Sequence, residues 1–285
     1  MNARPFRAAC LLVGLGWLLS ATAAAEPKQN TGTGYSIFRE TLVELTWPEV
    51  KKAAEKNAIV LLPVGVIEEH GPHRGVGVDT YIAYSMCRMV KQKLEARQIP
   101  AVIAPPVYWG IMDPEFPGSF AVRPSTMKAL LIDIFTDLKT WGFRKVYAIN
   151  RHGDRTHRQV FNEAMAEAQQ DLGLEFYNHQ ERKDWEQADK TNLPAAKTYS
   201  VENPFQPDYH AGAFETAVML AYYPEEVDVD VAATLKPQNT FDPLGYVGDP
   251  ANHRNANGRV FELSELDFVA DCLARWARQS HKRLD

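Results

Sequence analysis

The 285-residue sequence is poor in cysteine, has no excess of positive charge and carries only one long apolar run, and each shortage excludes a class of protein. Three cysteines, Cys10, Cys87 and Cys272, are too few for a disulfide scaffold. Cys87 and Cys272 stand among apolar neighbours in helix-like patterns, where buried free thiols are usual; one disulfide between them is the alternative. Lys and Arg number 31 against 36 Asp and Glu, giving a net charge of −5 with no basic stripe, so no nucleic-acid partner is expected. Past residue 25, no apolar run approaches the ~20 residues of a spanning helix. Internal repeats and low-complexity tracts are absent from the sequence. So are a G-x-S-x-G elbow and a cysteine–histidine motif, which leaves no obvious protein nucleophile.

The apolar run lies at the start. Arg4 and Arg7 precede an uncharged stretch from Ala8 to Leu19, and Ser20-Ala21-Thr22-Ala23-Ala24-Ala25 then offers small-residue cleavage sites, after Ala25 or Ala23. That order of basic, apolar and small segments predicts a secretory signal peptide over residues 1–25, with an uncleaved N-terminal anchor as the alternative. Cys10 precedes the end of the run and does not suit lipid attachment. The expected mature chain is exported, periplasmic or secreted, and free of the membrane. Its net charge falls from −5 to about −7, because Arg4 and Arg7 are the only charges removed. Residues 26–285 suit one large domain.

Within that domain, helical and strand patterns alternate. Thr46-Trp47-Pro48-Glu49 can cap and open a helix reaching about Lys56. Ala58 to Val64 is almost continuously apolar, as in a strand buried on both faces of a parallel sheet. A helix from Thr80 to Arg97 and a short strand from Ala101 to Pro105 follow. Ser125 or Thr126 opens a helix to Thr140, with Leu130, Leu131, Ile134, Phe135 and Leu138 at helical spacing. Gly142 ends it before a strand from Val146 to Ile149, and Thr156 to Leu172 is helical again. Glu181 to Gln206 reads as a long polar surface excursion. Leu263 to His281 reads as a closing helix with Leu266, Val269, Leu273 and Trp276 on one face. The order predicts an α/β fold on a mostly parallel sheet.

In such folds ligands bind beyond the carboxyl ends of the strands. The first rich strand end reads Glu68-Glu69-His70-Gly71-Pro72-His73, with Asp79 at the start of the next helix. The second reads Asn150-Arg151-His152-Gly153-Asp154, directly after the strand ending at Ile149. Glu68 and His70 are two apart, as are His152 and Asp154, so in extended chain each pair points one way. Carboxylate oxygen and imidazole nitrogen suit Zn²⁺ and Mn²⁺. Asp79 can bridge two ions about 3.5–4 Å apart, an arrangement that activates water and polarises a carbonyl without a protein nucleophile. Spacing alone leaves open the plain reading, in which such residues cap helices or lie on the surface.

The order of the motifs narrows the choice. Pro63-Val64-Gly65 leads into Glu68-x-His70-Gly71-Pro72-His73. Asp79, Phe116-Pro117-Gly118-Ser119 and Asn150-Arg151-His152-Gly153 follow. His210-Ala211-Gly212-Ala213-Phe214-Glu215-Thr216, Gly248-Asp249-Pro250 and Gly258 complete the series, which resembles the creatininase (creatinine amidohydrolase) family from Thr46 to Gly258. The resemblance implies a three-layer α/β/α fold and a divalent-metal centre of one or two ions, Zn²⁺ and/or Mn²⁺ with Fe²⁺ as a further option. It also implies hydrolysis of a linear or cyclic amide of small size, and a homo-oligomer, frequently a hexamer. By motif position it makes Glu68, His70, Asp79 and His152 metal ligands. Asp154 joins them where creatininase has a glutamate ligand, although many relatives have a small residue there. The resemblance places His210 near the substrate as a catalytic residue, with Glu215 assisting, or else stabilising a helix N-terminus.

The chain departs from the family's pattern at Glu69 (usually glutamine), Arg74-Gly75 (usually leucine-proline), Arg151 (usually glycine), Asp154-Arg155, and Ala213 (usually glutamate). These surround the expected pocket. Arg151 can meet a substrate carboxylate or pair with Asp154 or Glu69. Trp109 and Trp185 either line the pocket or pack elsewhere. The expected activity is a metal-dependent amidohydrolase acting on a non-peptide or cyclic C–N bond. A peptidase or formamide deformylase of the same family is the alternative, and a non-catalytic binding protein is the reading from another class.

Overall fold

The computed structural model describes residues 36–113, 116–178, 207–241, 243–255 and 264–278. The expected signal peptide, the Glu181–Gln206 excursion, Trp185 and Gly258 lie outside these residues. Among the described residues no helix is long and apolar enough to cross a membrane.

The chain begins its regular structure where expected. Helix α1 spans Trp47–Glu55, with the Thr46 and Glu49 side chains closing a reciprocal capping box and Pro48 in the first turn. Then come β1 (Ile59–Val64), α2 (Val78–Ala96), β2 (Ala101–Ile103), α3 (Pro124–Thr140), β3 (Lys145–Asn150), α4 (Arg155–Leu172) and β4 (Glu175–Asn178). Helices α5 (Ala213–Tyr222), α6 (Val229–Thr234) and α7 (Ser264–Arg278) complete the described elements, with short 3₁₀ turns between them. Strand β4 and helix α6 have no counterpart in the sequence reading. Glu-Phe-Tyr-Asn is short and half polar, and Val-Asp-Val-Ala-Ala-Thr has too few residues to show a period.

The four strands form one sheet in the order β2-β1-β3-β4, and every pairing is parallel. Alternation along each strand sends its side chains to opposite faces. Ile59, Leu61, Ile103, Tyr147 and Ile149 face one layer, with Ile82, Met86 and Val90 of α2, Val218 of α5, and Leu266, Val269 and Leu273 of α7. Val60, Leu62, Val64, Val146 and Ala148 face the other, with Ala54 of α1, Leu131 and Phe135 of α3, and Phe161 and Ala164 of α4. The molecule is therefore a three-layer α/β/α fold with both sheet faces covered, and β1 and β3 are fully buried along their length.

This topology fixes where a ligand can sit. From β1 the chain leaves through α2 toward β2 on one side, and from β3 it leaves through α4 toward β4 on the other. Because α2 and α4 cover opposite faces, a crevice opens between the carboxyl ends of β1 and β3.

Candidate metal centre

Each strand end is held by specific local chemistry. After β1, the Gly65 amide donates to Val107 and the Glu68 amide donates to the Val76 carbonyl, closing the loop that carries Glu68 and His70. Gly65 must be glycine. A Cβ there would lie 2.7 Å from the Thr80 nitrogen and 2.8 Å from the Asp79 carbonyl carbon, so the start of α2 could not pack against the end of β1. That close approach carries Asp79 over the strand end. After β3, the Asn150 side chain accepts from the His152 amide (3.0 Å) and donates to the His152 carbonyl (3.2 Å), which pins the imidazole over the crevice.

The structure brings Glu68, His70, Asp79, His152, His210 and Glu215 together. Three overlapping sets have donor atoms within 4.8 Å of one another: Glu68, Asp79 and His152; His70, Asp79 and Glu215; Glu68, His70 and His210. His152 Nε2 donates to the Ile111 carbonyl at 3.0 Å, so its Nδ1 is the ring atom presented to Asp79 Oδ2 (3.0 Å) and Glu68 Oε2 (3.1 Å). His152 is only 4 % exposed and Asp79 3 %. Burial by itself lowers the basicity of His152, but its hydrogen bonds to Asp79 and Glu68 prevail and push it up to about 10. Burial likewise opposes ionisation of Asp79. The hydrogen bond from His152 and then the nearby His70 imidazole overcome it and hold that carboxyl well below the usual carboxylate range. A pocket with this much affinity for a proton also attracts a cation.

His210 arrives from the segment ahead of α5. Its ring stacks on His70 with centroids 4.3 Å apart, and Nε2 donates to the Glu69 carbonyl at 2.9 Å. Burial lowers its basicity, yet the Glu69 hydrogen bond and the charges of Glu215 and Glu68 raise it to about 9. Glu215, in the first turn of α5, accepts from the Ala211 amide at 2.8 Å. The helix N-terminus itself is served by Asp208, whose carboxylate accepts from the Ala213 and Phe214 amides.

Asp154 is not brought into any of the three sets. Its Oδ1 accepts from the His157 amide at 2.7 Å, making it the N-cap of α4. Two-residue spacing from His152 suits a ligand in extended chain, but here the helix begins at the next residue and takes the side chain.

Several neighbours of the cluster could be named from the sequence as motif members, departures or pocket candidates, but their contacts could not. Arg74 is buried, and its guanidinium lies 3.4 Å from Glu215 Oε2. His157, also buried, accepts from the Ile111 amide at Nδ1 and meets the His152 ring edge-on at 4.9 Å. Burial followed by the charge of His152 lowers its basicity to about 3. Gly110 permits this contact, since a Cβ there would lie 2.5 Å from the His157 ring. His73 is bound to the Thr216 hydroxyl at 2.9 Å, beside the cluster. Trp109 is 41 % exposed and packs edge-on against Phe120. Cys87 and Cys272 are not joined in a disulfide. A glycine at the end of a strand, a departure at a family position, or a histidine two positions into a helix was the available signal for these neighbours.

A doubly covered parallel sheet with carboxylates and imidazoles converging at its central switch point defines an α/β enzyme built to hold divalent cations. The comparisons narrow that class. The family model described as creatinine amidohydrolase matches residues 43–273, so the chain belongs to the creatininase family, whose members are hydrolases of C–N amide bonds. Creatinine amidohydrolase of Pseudomonas putida is 28 % identical over 224 residues, covering 73 % of this chain and 81 % of that protein. A mycofactocin precursor peptide peptidase of Mycolicibacterium smegmatis is 29 % identical over 235 residues, covering 76 % and 85 %. The crystal structure of a creatinine amidohydrolase shares the fold with a TM-score of 0.65 at 23 % identity, over 85 % of this chain and 99 % of that one.

Proposed function

We propose that this protein is an exported, metal-dependent amidohydrolase that cleaves a non-peptide or cyclic C–N bond in a small substrate, with Glu68, His70, Asp79 and His152 holding the metal. The observation that carries the reading is the orientation of His152. With Nε2 committed to the Ile111 carbonyl, Nδ1 and its lone pair face an oxygen of the buried Asp79 and one of the half-buried Glu68 at 3.0 and 3.1 Å. An imidazole lone pair against two carboxylates is repulsive unless a proton or a metal ion lies between them. The donor set fits Zn²⁺ or Mn²⁺, and solved creatininases include a manganese form and a zinc–zinc form. Bound there, a divalent ion supplies Lewis acidity toward the substrate carbonyl and acidifies a water at neutral pH.

The chain's own residues do the rest. The Ile111 carbonyl and Asn150 keep His152 in one tautomer and orientation. His210, anchored by Glu69 and stacked on His70, is the group we assign to orient the substrate and to deliver a proton to the leaving nitrogen. Glu215, held by the Ala211 amide and Arg74, keeps a negative charge beside His70. The test is a hydrolysis screen of the metal-reconstituted protein against cyclic amides, formamides and dipeptides, with His152→Ala as control. The last two classes answer the peptide-cleaving relative and the formamide reading. Activity confined to the wild type is expected, and activity unchanged in the control would contradict the mechanism. We also propose export with removal of residues 1–25 and, as in family members, assembly as a homo-oligomer. N-terminal sequencing should begin near Glu26, and an intact Met1 on protein from the cell interior would refute export.

A further inference from the structure

We propose that Arg74 is a resident countercharge of the cluster, a positioning residue that keeps the ion-free site in shape and weakens its hold on a divalent ion. This rests on the metal-hydrolase reading above and names what tunes it in this chain. Where the family pattern has leucine-proline, this chain has Arg74-Gly75. The fold accommodates the exchange at both positions. Arg74 pairs with Val227 in an antiparallel bridge, and the His73 carbonyl accepts from the Asp228 amide at 2.8 Å. Gly75 leaves space that a side chain would take, since a Cβ there would lie 2.9 Å from Glu226 Oε2. The arginine side chain turns inward. It is 0 % exposed, and Nη2 lies 3.4 Å from Glu215 Oε2. Its Nε and Nη1 are buried with no hydrogen-bond partner.

A buried guanidinium with two idle nitrogens gains little from hydrogen bonding, so its charge is what it contributes. Glu68, Asp79 and Glu215 bring three negative charges to the cluster. Arg74 offsets one of them before any ion arrives. Besides Glu215, the carboxylates of Asp79 and Asp208 attract it. Glu215 Oε2 accepts from the Ala211 amide at 2.8 Å and faces His70 Nε2 at 3.7 Å, so Arg74 holds it from a further side. Both effects on a cation have one sign. The positive charge repels the ion, and its pairing with Glu215 takes up attraction the ion would otherwise gain. A neutral residue at position 74 leaves Glu215 without that partner in the ion-free protein and makes cation binding more favourable. An arginine that merely filled space would give the opposite shift, because its loss would loosen the site and weaken binding.

The experiment reads metal affinity, not turnover. The full chain is stripped with chelator, and its Zn²⁺ affinity is measured by competition with a chromophoric chelator in wild type, Arg74→Leu, Arg74→Gln and Arg74→Lys. Leucine is the family's residue, glutamine keeps a donor for Glu215 without the charge, and lysine keeps the charge. Arg74→Leu and Arg74→Gln should each bind at least roughly tenfold more tightly, since a unit charge close to a divalent ion weighs heavily even at an effective dielectric constant of about 20. Arg74→Lys should stay within about threefold of wild type, because the charge is retained. Without metal, Arg74→Leu should melt below the wild type, as Glu215 has lost its partner. Unchanged or weaker binding in either neutral variant would overturn the role of Arg74 while leaving a metal hydrolase standing. So would an Arg74→Lys as tight as Arg74→Leu, or a metal-free Arg74→Leu that melts at or above wild type. No Zn²⁺ binding by wild type or any variant would instead sink the metal-hydrolase reading itself. If Arg74→Leu fails to fold, Arg74→Gln against Arg74→Lys decides.

Discussion

The interior of the sheet and the rim where its strands end are both largely hidden from water and opposite in chemistry. Leu61 in the middle of β1 is 0 % exposed and belongs to the apolar cluster that the sheet forms with the layer above it. Asp79, just past the end of the same strand, is 3 % exposed and meets the imidazoles of His70 and His152. Burial of Leu61 stabilises the fold by removing apolar surface from water. Burial of Asp79, Glu215 and Arg74 works differently, because desolvation opposes every one of these charges and is overcome at Asp79 and Glu215 only by pairing with His152, His70 and Arg74, and apolar residues of similar volume would commonly do as well or better. The interior explains why the chain folds. The rim makes sense only through what it binds.

That contrast can be broken deliberately, and the largest effect should come from the rim. Asp79→Asn keeps the shape of the side chain and removes the charge that faces both His70 and His152. Hydrolysis should fall roughly a thousand-fold, since a metal ion contributes several kcal/mol of transition-state stabilisation. The melting temperature of the metal-stripped protein should fall as well, because the ionised Asp79 pairs with His152 and His70 in the folded state, but by far less than the activity. A large loss of stability without loss of activity would erase the distinction between the two regions.

Leu61→Ala is the converse. It should cost about 2–5 kcal/mol in denaturant unfolding while the metal content of the folded protein stays at the wild-type value. Gly65→Ala strikes the seam between the regions, where the added Cβ would meet the α2 backbone at 2.7–2.8 Å. About 1–3 kcal/mol of stability should go with it, together with roughly 10–100-fold in metal affinity, measured by competition with a chelator. The smallest effect belongs to Asp154→Ala. It removes the α4 cap and should cost about 1 kcal/mol, visible as a fall of roughly 2–4 °C in melting temperature, with bound metal unchanged.

The interior was almost wholly legible in the sequence because burial leaves a pattern. The continuous apolar run over Ile59–Val64 announced a doubly covered strand, and the 3.6 periodicity of Leu131, Phe135 and Leu138 announced the face of α3 that packs beneath it. The rim was legible only where its residues lie close to a strand end. Glu68, His70 and His152 follow β1 and β3 directly, and Asp79 opens the helix after β1, so their convergence followed from parallel topology. The place of Glu215 beside His70 could not be read that way. It lies 145 residues after His70, and only the packing of the segment ahead of α5 against the β1 loop brings it there. Asp154 illustrates the opposite difficulty, because spacing of two also fits a cap when a helix starts at the next residue. The Ile111 carbonyl that fixes His152 is invisible in principle, since any residue has one.

The central claim is that the buried carboxylates and imidazoles at the ends of β1 and β3 exist to hold a divalent cation. Calorimetric titration of Zn²⁺ into metal-stripped wild type and Glu68→Gln/His152→Ala proteins tests it most directly. Tight saturable binding in the wild type, lost from the His152 side in the double variant, is the expected result. Equal binding by both proteins, or none by either, would contradict it.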